Sequence, residues 1–288
     1  MVREYSHYKS LTSMGVDKWK NVTGNNKPEE YKKLLFNCTK NLYDLKGVHE
    51  DKNCLIMGLG PSLLNIDKEK YKDHFKLVCN RFYRVPNFYD NEFKPDFWCG
   101  CNDWSVLKDP LDRCIESDIA AFVTTPNSMQ FEEMLIYLKE KEYLDNVFTW
   151  HWDSEILQKL IADKYNTNYC FSRAITIIIE MIAFAFWVGC KSITVAGMDL
   201  SYLDSYKKYG MTHAGFDQSE ELSRAHEAGG AMALSRASDR NKIIDDLRYF
   251  AKLSLDNNIS FINASYRENR INIEGFENIQ EKRHDTSS

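Results

Sequence analysis

The stretch Asn53-Cys54-Leu55-Ile56-Met57-Gly58-Leu59-Gly60-Pro61-Ser62-Leu63 decides the fold. A short run that is apolar on both faces, followed at once by two glycines and a proline, reads as a strand buried between helix layers and ending in a sharp turn. The same texture recurs at Lys76-Leu77-Val78-Cys79, Phe97-Trp98-Cys99, Ile119 to Val123, Val147 to Trp150, Ser192 to Val195 and Ile259 to Ile262. Helical patterns fall between several of these runs, at Gln130 to Lys141, Asp153 to Asp163, Ser172 to Val188 and Ser235 to Asn257. Strands alternating with helices argue for an α/β, Rossmann-like, doubly wound and mostly parallel sheet.

Outward from that core the texture changes. Residues 1–50 read as an N-terminal extension with one helix, opened by Pro28 and carrying Tyr31, Leu34, Leu35, Cys38 and Leu42 on one face. Residues 51–265 form the main domain. Between Tyr202 and Leu234 periodicity dissolves into Gly, Ser, His and charge, and a connection that long is expected to be a lid. Residues 266–288 are read as a C-terminal tail.

Composition sets limits. Lys and Arg number 37 against 42 Asp and Glu, a net charge of −5, so no overall basic field exists for a nucleic-acid backbone. Eight cysteines lie mostly inside apolar runs without Cys-x-x-Cys pairs, which favours buried reduced thiols over a zinc site. The first residues lack an apolar targeting segment, and an intracellular location is expected. Ala174 to Cys190 is strongly apolar but falls short of the roughly 20 residues of a membrane span and contains Glu180, so it reads as a buried helix. Peripheral membrane contact is left open for the arm, where residues 1–50 hold nine Lys/Arg against six Asp/Glu. So is homo-oligomerisation.

Candidate chemistry gathers where the strands end. Gly58 and Gly60 let the main chain approach a ligand, and Pro61 and Ser62 are expected to open a helix whose free N–H groups attract phosphate. The segment is not a P-loop, and Leu63 stands where a dinucleotide fingerprint has its third glycine. If the strands are parallel, Asn80 and Asn102 project at the same edge, each amide able to donate and accept to a base or sugar. Ser172 is a candidate helix cap, followed by Arg173, a cation suited to a carboxylate or phosphate. Asp199 ends another strand and suits a ribose or sugar hydroxyl, or a divalent ion. Tyr202 and Tyr209 carry phenols able to meet a leaving phosphate. His213 and His226 lie in the lid, and either imidazole suits removal of a hydroxyl proton.

Gly58 to Leu63, Pro95-Asp96, Val188-Gly189, Ala196-Gly197-Met198-Asp199-Leu200 and Thr212-His213-Ala214 together resemble the Maf/6-hydroxymethylpterin pyrophosphokinase-like family, which includes flagellin glycosyltransferases. The chain is also similar to the small bacterial CMP-sialic-acid-dependent sialyltransferases. The likeness spans roughly residues 53–265. It implies a cytoplasmic enzyme, at or away from the inner face of the membrane, that moves a sialic-acid-like nonulosonate from a CMP-activated donor to a glycan or protein acceptor, inverting the anomeric centre. By this resemblance Gly58, Gly60 and Ser62 line the phosphate and ribose, Asn80 and Asn102 contact the donor, and Arg173 or Thr176 lies near the sugar carboxylate. Tyr202 and Tyr209 steady the departing phosphate, His213 is preferred to His226 as base, and neither metal nor cofactor is needed. Leu59 departs from the sialyltransferase asparagine at that point, and Leu234 stands where their histidine is expected. The alternatives are an ATP-dependent diphosphotransferase acting on a pterin, with Mg²⁺ held by Asp96, Asp103 and Asp199, and a non-catalytic nucleotide-binding protein.

Overall fold

The computed structural model describes residues 42–85, 93–101, 104–124, 128–149, 154–167, 176–198, 231–265 and 272–279. Eight strands form one sheet: β1 (Asn53–Met57), β2 (Phe75–Cys79), β3 (Phe97–Cys101), β4 (Ala120–Thr124), β5 (Val147–Phe148), β6 (Ser192–Ala196), β7 (Ser260–Asn263) and β8 (Glu277–Asn278). The order is β5-β4-β3-β2-β1-β6-β7-β8, and every pairing is parallel. Seven of the eight coincide with the apolar runs of the sequence. The eighth is two polar residues at the edge, held by Asn263 Nδ2 donating to Asn278 Oδ1 at 2.9 Å, and carries no hydrophobic pattern to announce it.

The chain winds outward from β1 to β5, returns across the sheet to β6 on the other side of β1, and winds outward again. The connections are the helices α1 (Trp104–Ser117), α2 (Ser128–Glu140), α3 (Ser154–Tyr165), α4 (Ile177–Val188) and α5 (Ala231–Asp256). Packing follows this route: α1 rests on β3, β4 and α2, while α4 lies across β1, β2 and β3 and touches α3 and α5. The right-handed crossover rule puts these two groups on opposite faces of the sheet.

The deeply apolar segment is α4, buried at every position from Ile178 to Val188. Phe184 stacks on Phe122 of β4 with ring centroids 4.3 Å apart, and meets Phe97 of β3 at 5.3 Å. No helix among the described residues is long and apolar enough to cross a membrane. At 12 residues α4 spans about 18 Å at the usual rise, close to the length of the five-residue strands it covers.

The terminal carbonyls of α4 are met from several directions. Gly189, at φ +93, turns its N–H back to Ala185 and Phe186. Lys164 Nζ donates to the carbonyls of Phe186 and Trp187 at 2.8 and 2.9 Å, and Tyr165 adds its hydroxyl at 2.7 Å to Phe186. Residues just before β1 join in: Gly47 N–H donates to Trp187 and His49 N–H to Val188, while the Trp187 indole donates to the carbonyl of Leu42. Leu42 is fully buried in the core. The rest of the apolar stripe from Tyr31 to Cys38 lies outside the described residues, as do the tail beyond Ile279 and most of the expected lid.

Three elements differ from the sequence reading. The helix expected from Ser172 begins at Ile177, because Thr176 is extended and caps it by accepting from Ile178 N–H. The long helix begins at Ala231, inside the expected lid, where Ala231-Met232-Ala233-Leu234 are strong helix formers. The helix expected from Pro61 is a five-residue 3-10 turn, Pro61–Asn65. Helix α1, which the sequence reading did not mark, holds Pro110 in its interior. The five described thiols outside β3's final residue, Cys54, Cys79, Cys99, Cys114 and Cys190, are buried and free. Burial pushes Cys79 up to about 12, so that thiol is protonated at neutral pH.

Candidate functional site

In this strand order the winding direction reverses between β1 and β6, and the gap beyond their carboxyl ends is where open α/β sheets receive ligands. Two glycines meet at that gap. Gly58 N–H donates to Ala196 and Gly60 N–H to Gly197, both at 2.8 Å. A Cβ on Gly58 would lie 2.5 Å from the Gly197 carbonyl oxygen, and one on Gly197, at φ +67, would lie 2.5 Å from the Gly58 oxygen. The two main chains thus cross where only glycine fits and form the floor of the gap, with the Ile178 and Leu63 side chains packed against the crossing.

From that floor the residues after β1 turn inward. Gly60 is extended and only half-buried, whereas Pro61, Ser62 and Leu63 are buried, Ser62 to 4% exposure. Leu59, the departure from the sialyltransferase asparagine, is also buried and serves the core. The expectation that Pro61 and Ser62 open a phosphate-attracting helix is corrected. The 3-10 turn is too short for an appreciable dipole, and Leu63 N–H is already taken by the Gly60 carbonyl. The Gly58 and Gly60 N–H groups are taken as well, by Ala196 and Gly197, so what the turn offers a ligand is close approach to the half-buried main chain at Gly60.

Asn80 follows β2 at the same edge, at φ +50. The left-handed region is tolerated by asparagine better than by most residues. Its N–H donates to Cys99 on β3 at 3.2 Å, and its carbonyl accepts from the Trp98 indole at 2.7 Å. The Asn80 side-chain amide is half-buried and makes no hydrogen bond to another described residue. Just beyond it, in the 3-10 turn Phe82–Arg84, the Tyr83 hydroxyl donates to the Asp109 carboxylate of α1. Partial burial and then that hydrogen bond hold the Tyr83 phenol above its ordinary value. Thr176 stands at the start of α4, which runs antiparallel to the strands, so it belongs to the same edge. Its Oγ1 accepts from Ile178 N–H at 3.4 Å and still has a proton to donate.

Gly58, Gly60, Asn80 and Thr176 are therefore brought to one rim. Asn102 and Asp199, which follow Cys101 and Gly197 by one and two positions in the sequence, lie outside the described residues. Arg173, Tyr202, Tyr209, His213 and His226 also lie outside the described residues.

Of the carboxylates offered for Mg²⁺, only Asp96 is described. Asp96 precedes β3, and its carboxylate accepts from Lys76 N–H at 2.7 Å at the start of β2. It lies at the amino edge, a strand length, roughly 15 Å, from the rim, and Asp103 and Asp199 lie outside the described residues. Among the described residues no three of His, Cys, Asp or Glu come together to hold a metal.

Two further features escaped the sequence reading. Glu180, buried to 4% exposure one turn inside α4, has an Oε2 without a hydrogen-bond partner among the described residues, and burial raises its carboxyl to about 8. A groove of about 660 Å³ lies between Tyr165 to Thr167 and Asp245, Arg248 and Lys252 of α5. It opens near the ends of α3 and α5, at the amino edge of the sheet and away from the rim.

No protein-family model matches the chain, so the Maf/pterin side of the resemblance gains no support, and no curated protein matches it. Solved structures with similar coordinates include the Campylobacter jejuni sialyltransferase CstII in complex with cytidine-5'-monophosphate, at 22% identity and a TM-score of 0.48, covering 79% of this chain and 86% of that one. CstII with a trisaccharide acceptor and CMP is 22% identical with a TM-score of 0.45, covering 81% and 92%. The monofunctional α-2,3-sialyltransferase Cst-I from Campylobacter jejuni is 20% identical with a TM-score of 0.47, covering 82% and 86%. At so low an identity and score, these likenesses decide neither substrate nor reaction.

Proposed function

We propose that this chain is an inverting glycosyltransferase that moves a sialic-acid-like nonulosonate from a CMP-activated donor to an acceptor hydroxyl, in surface-glycan or protein glycosylation. One observation carries the reading: a bare glycine bend at Gly58 and Gly60 and the open amide of Asn80 share the rim beside the winding reversal. Backbone that approaches closely suits a phosphate and ribose, and an amide suits a pyrimidine or sugar edge. The motif resemblance supplies the cytidine and the nonulosonate.

In this mechanism the acceptor oxygen forms the new bond to the anomeric carbon while its proton passes to the His213 imidazole. The bond from that carbon to the phosphate oxygen breaks, and its electron pair leaves on CMP. Tyr202 and Tyr209 donate their phenolic hydrogens to the phosphate as charge develops, and loss of one such donor costs about 3 kcal/mol of barrier. Thr176 and Arg173 suit the sugar carboxylate. The pterin diphosphotransferase reading has less support, since Asp96, the described member of its Mg²⁺ carboxylates, caps the start of β2 at the amino edge, away from the rim.

Calorimetry against CMP and ATP, each with and without Mg²⁺, tests the reading. Metal-independent CMP binding is expected, whereas Mg²⁺-dependent ATP binding, or no nucleotide binding, would overturn it. In transfer assays with CMP-sialic acid, His213→Ala is expected to lose turnover while keeping CMP affinity within about twofold. Full activity in that variant would remove His213 from the mechanism.

A further inference from the structure

The turn that carries Asn80 is held by a side chain that sequence pattern does not single out. Strand alternation puts Trp98 and Gly100 on the same face of β3, opposite to the face where Phe97 meets α4. A Cβ on Gly100 would lie 2.7 Å from Cζ2 of the Trp98 indole, so the bare position is the slot in which the ring lies along the strand toward the rim. There Nε1–H donates to the Asn80 carbonyl at 2.7 Å, with Trp98 itself 3% exposed.

The bond stands where a ladder bond would otherwise be. Strands β2 and β3 pair through Cys79 and Cys99, so Asn80 is the first residue past the registered ladder. Its N–H still reaches the Cys99 carbonyl, but φ of +50 swings its own carbonyl out of the ladder direction, and the indole N–H takes the place of a backbone donor. Indole carries one donor and no acceptor, so it can play no other polar part there. Both backbone polar groups of Asn80 are thereby tied to β3 while its side-chain amide makes no hydrogen bond to a described residue. Backbone locked and side chain unengaged is the arrangement that preorganises a contact for a ligand.

We infer that Trp98, in the slot left by Gly100, is a positioning residue that fixes the Asn80 amide for a nucleotide at the rim. The inference rests on the proposed function for its ligand, and it adds two residues that act only through Asn80.

The test is a double-mutant cycle on the full-length chain, with nucleotide affinity measured by calorimetry and folding by thermal unfolding. Trp98→Phe keeps a ring and removes the donor, and Asn80→Ala removes the amide. Trp98→Phe is expected to weaken CMP binding on the order of tenfold. In the Asn80→Ala background the same change is expected to have no further effect, because nothing remains to be positioned. A stabilising role alone would not produce that non-additivity. Gly100→Ala, which keeps the indole but fills its slot, is expected to follow Trp98→Phe. Should Trp98→Phe not fold, 3-benzothienylalanine at position 98 exchanges the N–H for sulfur at nearly unchanged shape and takes its place. Wild-type affinity in the donor-deleted protein, or a loss that adds fully to that of Asn80→Ala, overturns the inference. If the wild type ignores CMP but binds UMP or AMP, the donor assignment fails and the cycle run on that nucleotide still decides the role of Trp98. If it binds none of the three, both fail.

Discussion

Glu180 shows how strongly one position can bias the behaviour of the whole chain. Its carboxyl, ordinarily near 4.5, is raised to about 8 because ionisation would strand a charge inside α4's apolar packing, near the buried Cys99 thiol of β3. The folded state keeps a proton that the unfolded chain releases above its ordinary value. Stability from this group is therefore full below about pH 4.5 and is lost as pH rises through about 8, a total of about 5 kcal/mol. Glu180→Gln is expected to raise the thermal midpoint by at least about 5 °C near pH 8 and to change it little near pH 4.5, in unfolding followed across pH. A pH-independent difference would show that Glu180 ionises freely. At the glycine crossing the opposite holds: Gly197→Ala forces a Cβ to 2.5 Å from the Gly58 oxygen at φ +67. It is expected to cost about 2 kcal/mol or more, read by urea denaturation. The sequence displayed both positions without their meaning, since a Glu in an apolar run and a Gly after a strand look the same whether strained, buried or neither.

Among the elements, α4 was the most legible in composition and the least legible at its ends. Continuous apolarity announced a helix covered on all sides. Its start was misplaced by five residues because Ser172 and Thr176 are both acceptable caps, and only backbone geometry selects Thr176. Its finish depends on Lys164 of α3, whose ammonium sits on the last carbonyls and is lowered to about 8 by burial. Lys164→Met is expected to cost about 1 kcal/mol and to speed hydrogen exchange through the last turn of α4. Unchanged exchange there would mean that Gly189 and Tyr165 suffice. The long helix α5 makes the complementary point: good helix formers at Ala231 to Leu234 continue it upstream, into residues whose neighbours looked like lid.

For the molecule as a whole, the strand order matters more than any element, because it decides which strand ends adjoin. Placing β6 beside β1 brings Gly197 against Gly58 and opens the gap that the proposed donor would occupy. Binding to the folded state alone adds stability by mass action, about 2.7 kcal/mol at a hundred times the dissociation constant. Saturating CMP is thus expected to raise the thermal midpoint by roughly 5–10 °C. The same shift in EDTA is expected, and its loss on chelation would argue for a metal-bridged nucleotide.

The amino-acid order by itself determined the parallel α/β architecture, since double-sided apolar strands and intervening helices have few other ways to bury both faces of a sheet. It also marked the glycine bend after β1 and the asparagine after β2, because those residue types are what tight turns and left-handed backbone require. Tertiary structure alone decided which of these meet. That Asp96 stands at the amino edge, that Ser62 points inward, and that an indole two residues before Gly100 ties down Asn80 are consequences of strand order, register and face. Those are relations between segments distant in the chain, and local pattern carries no record of them.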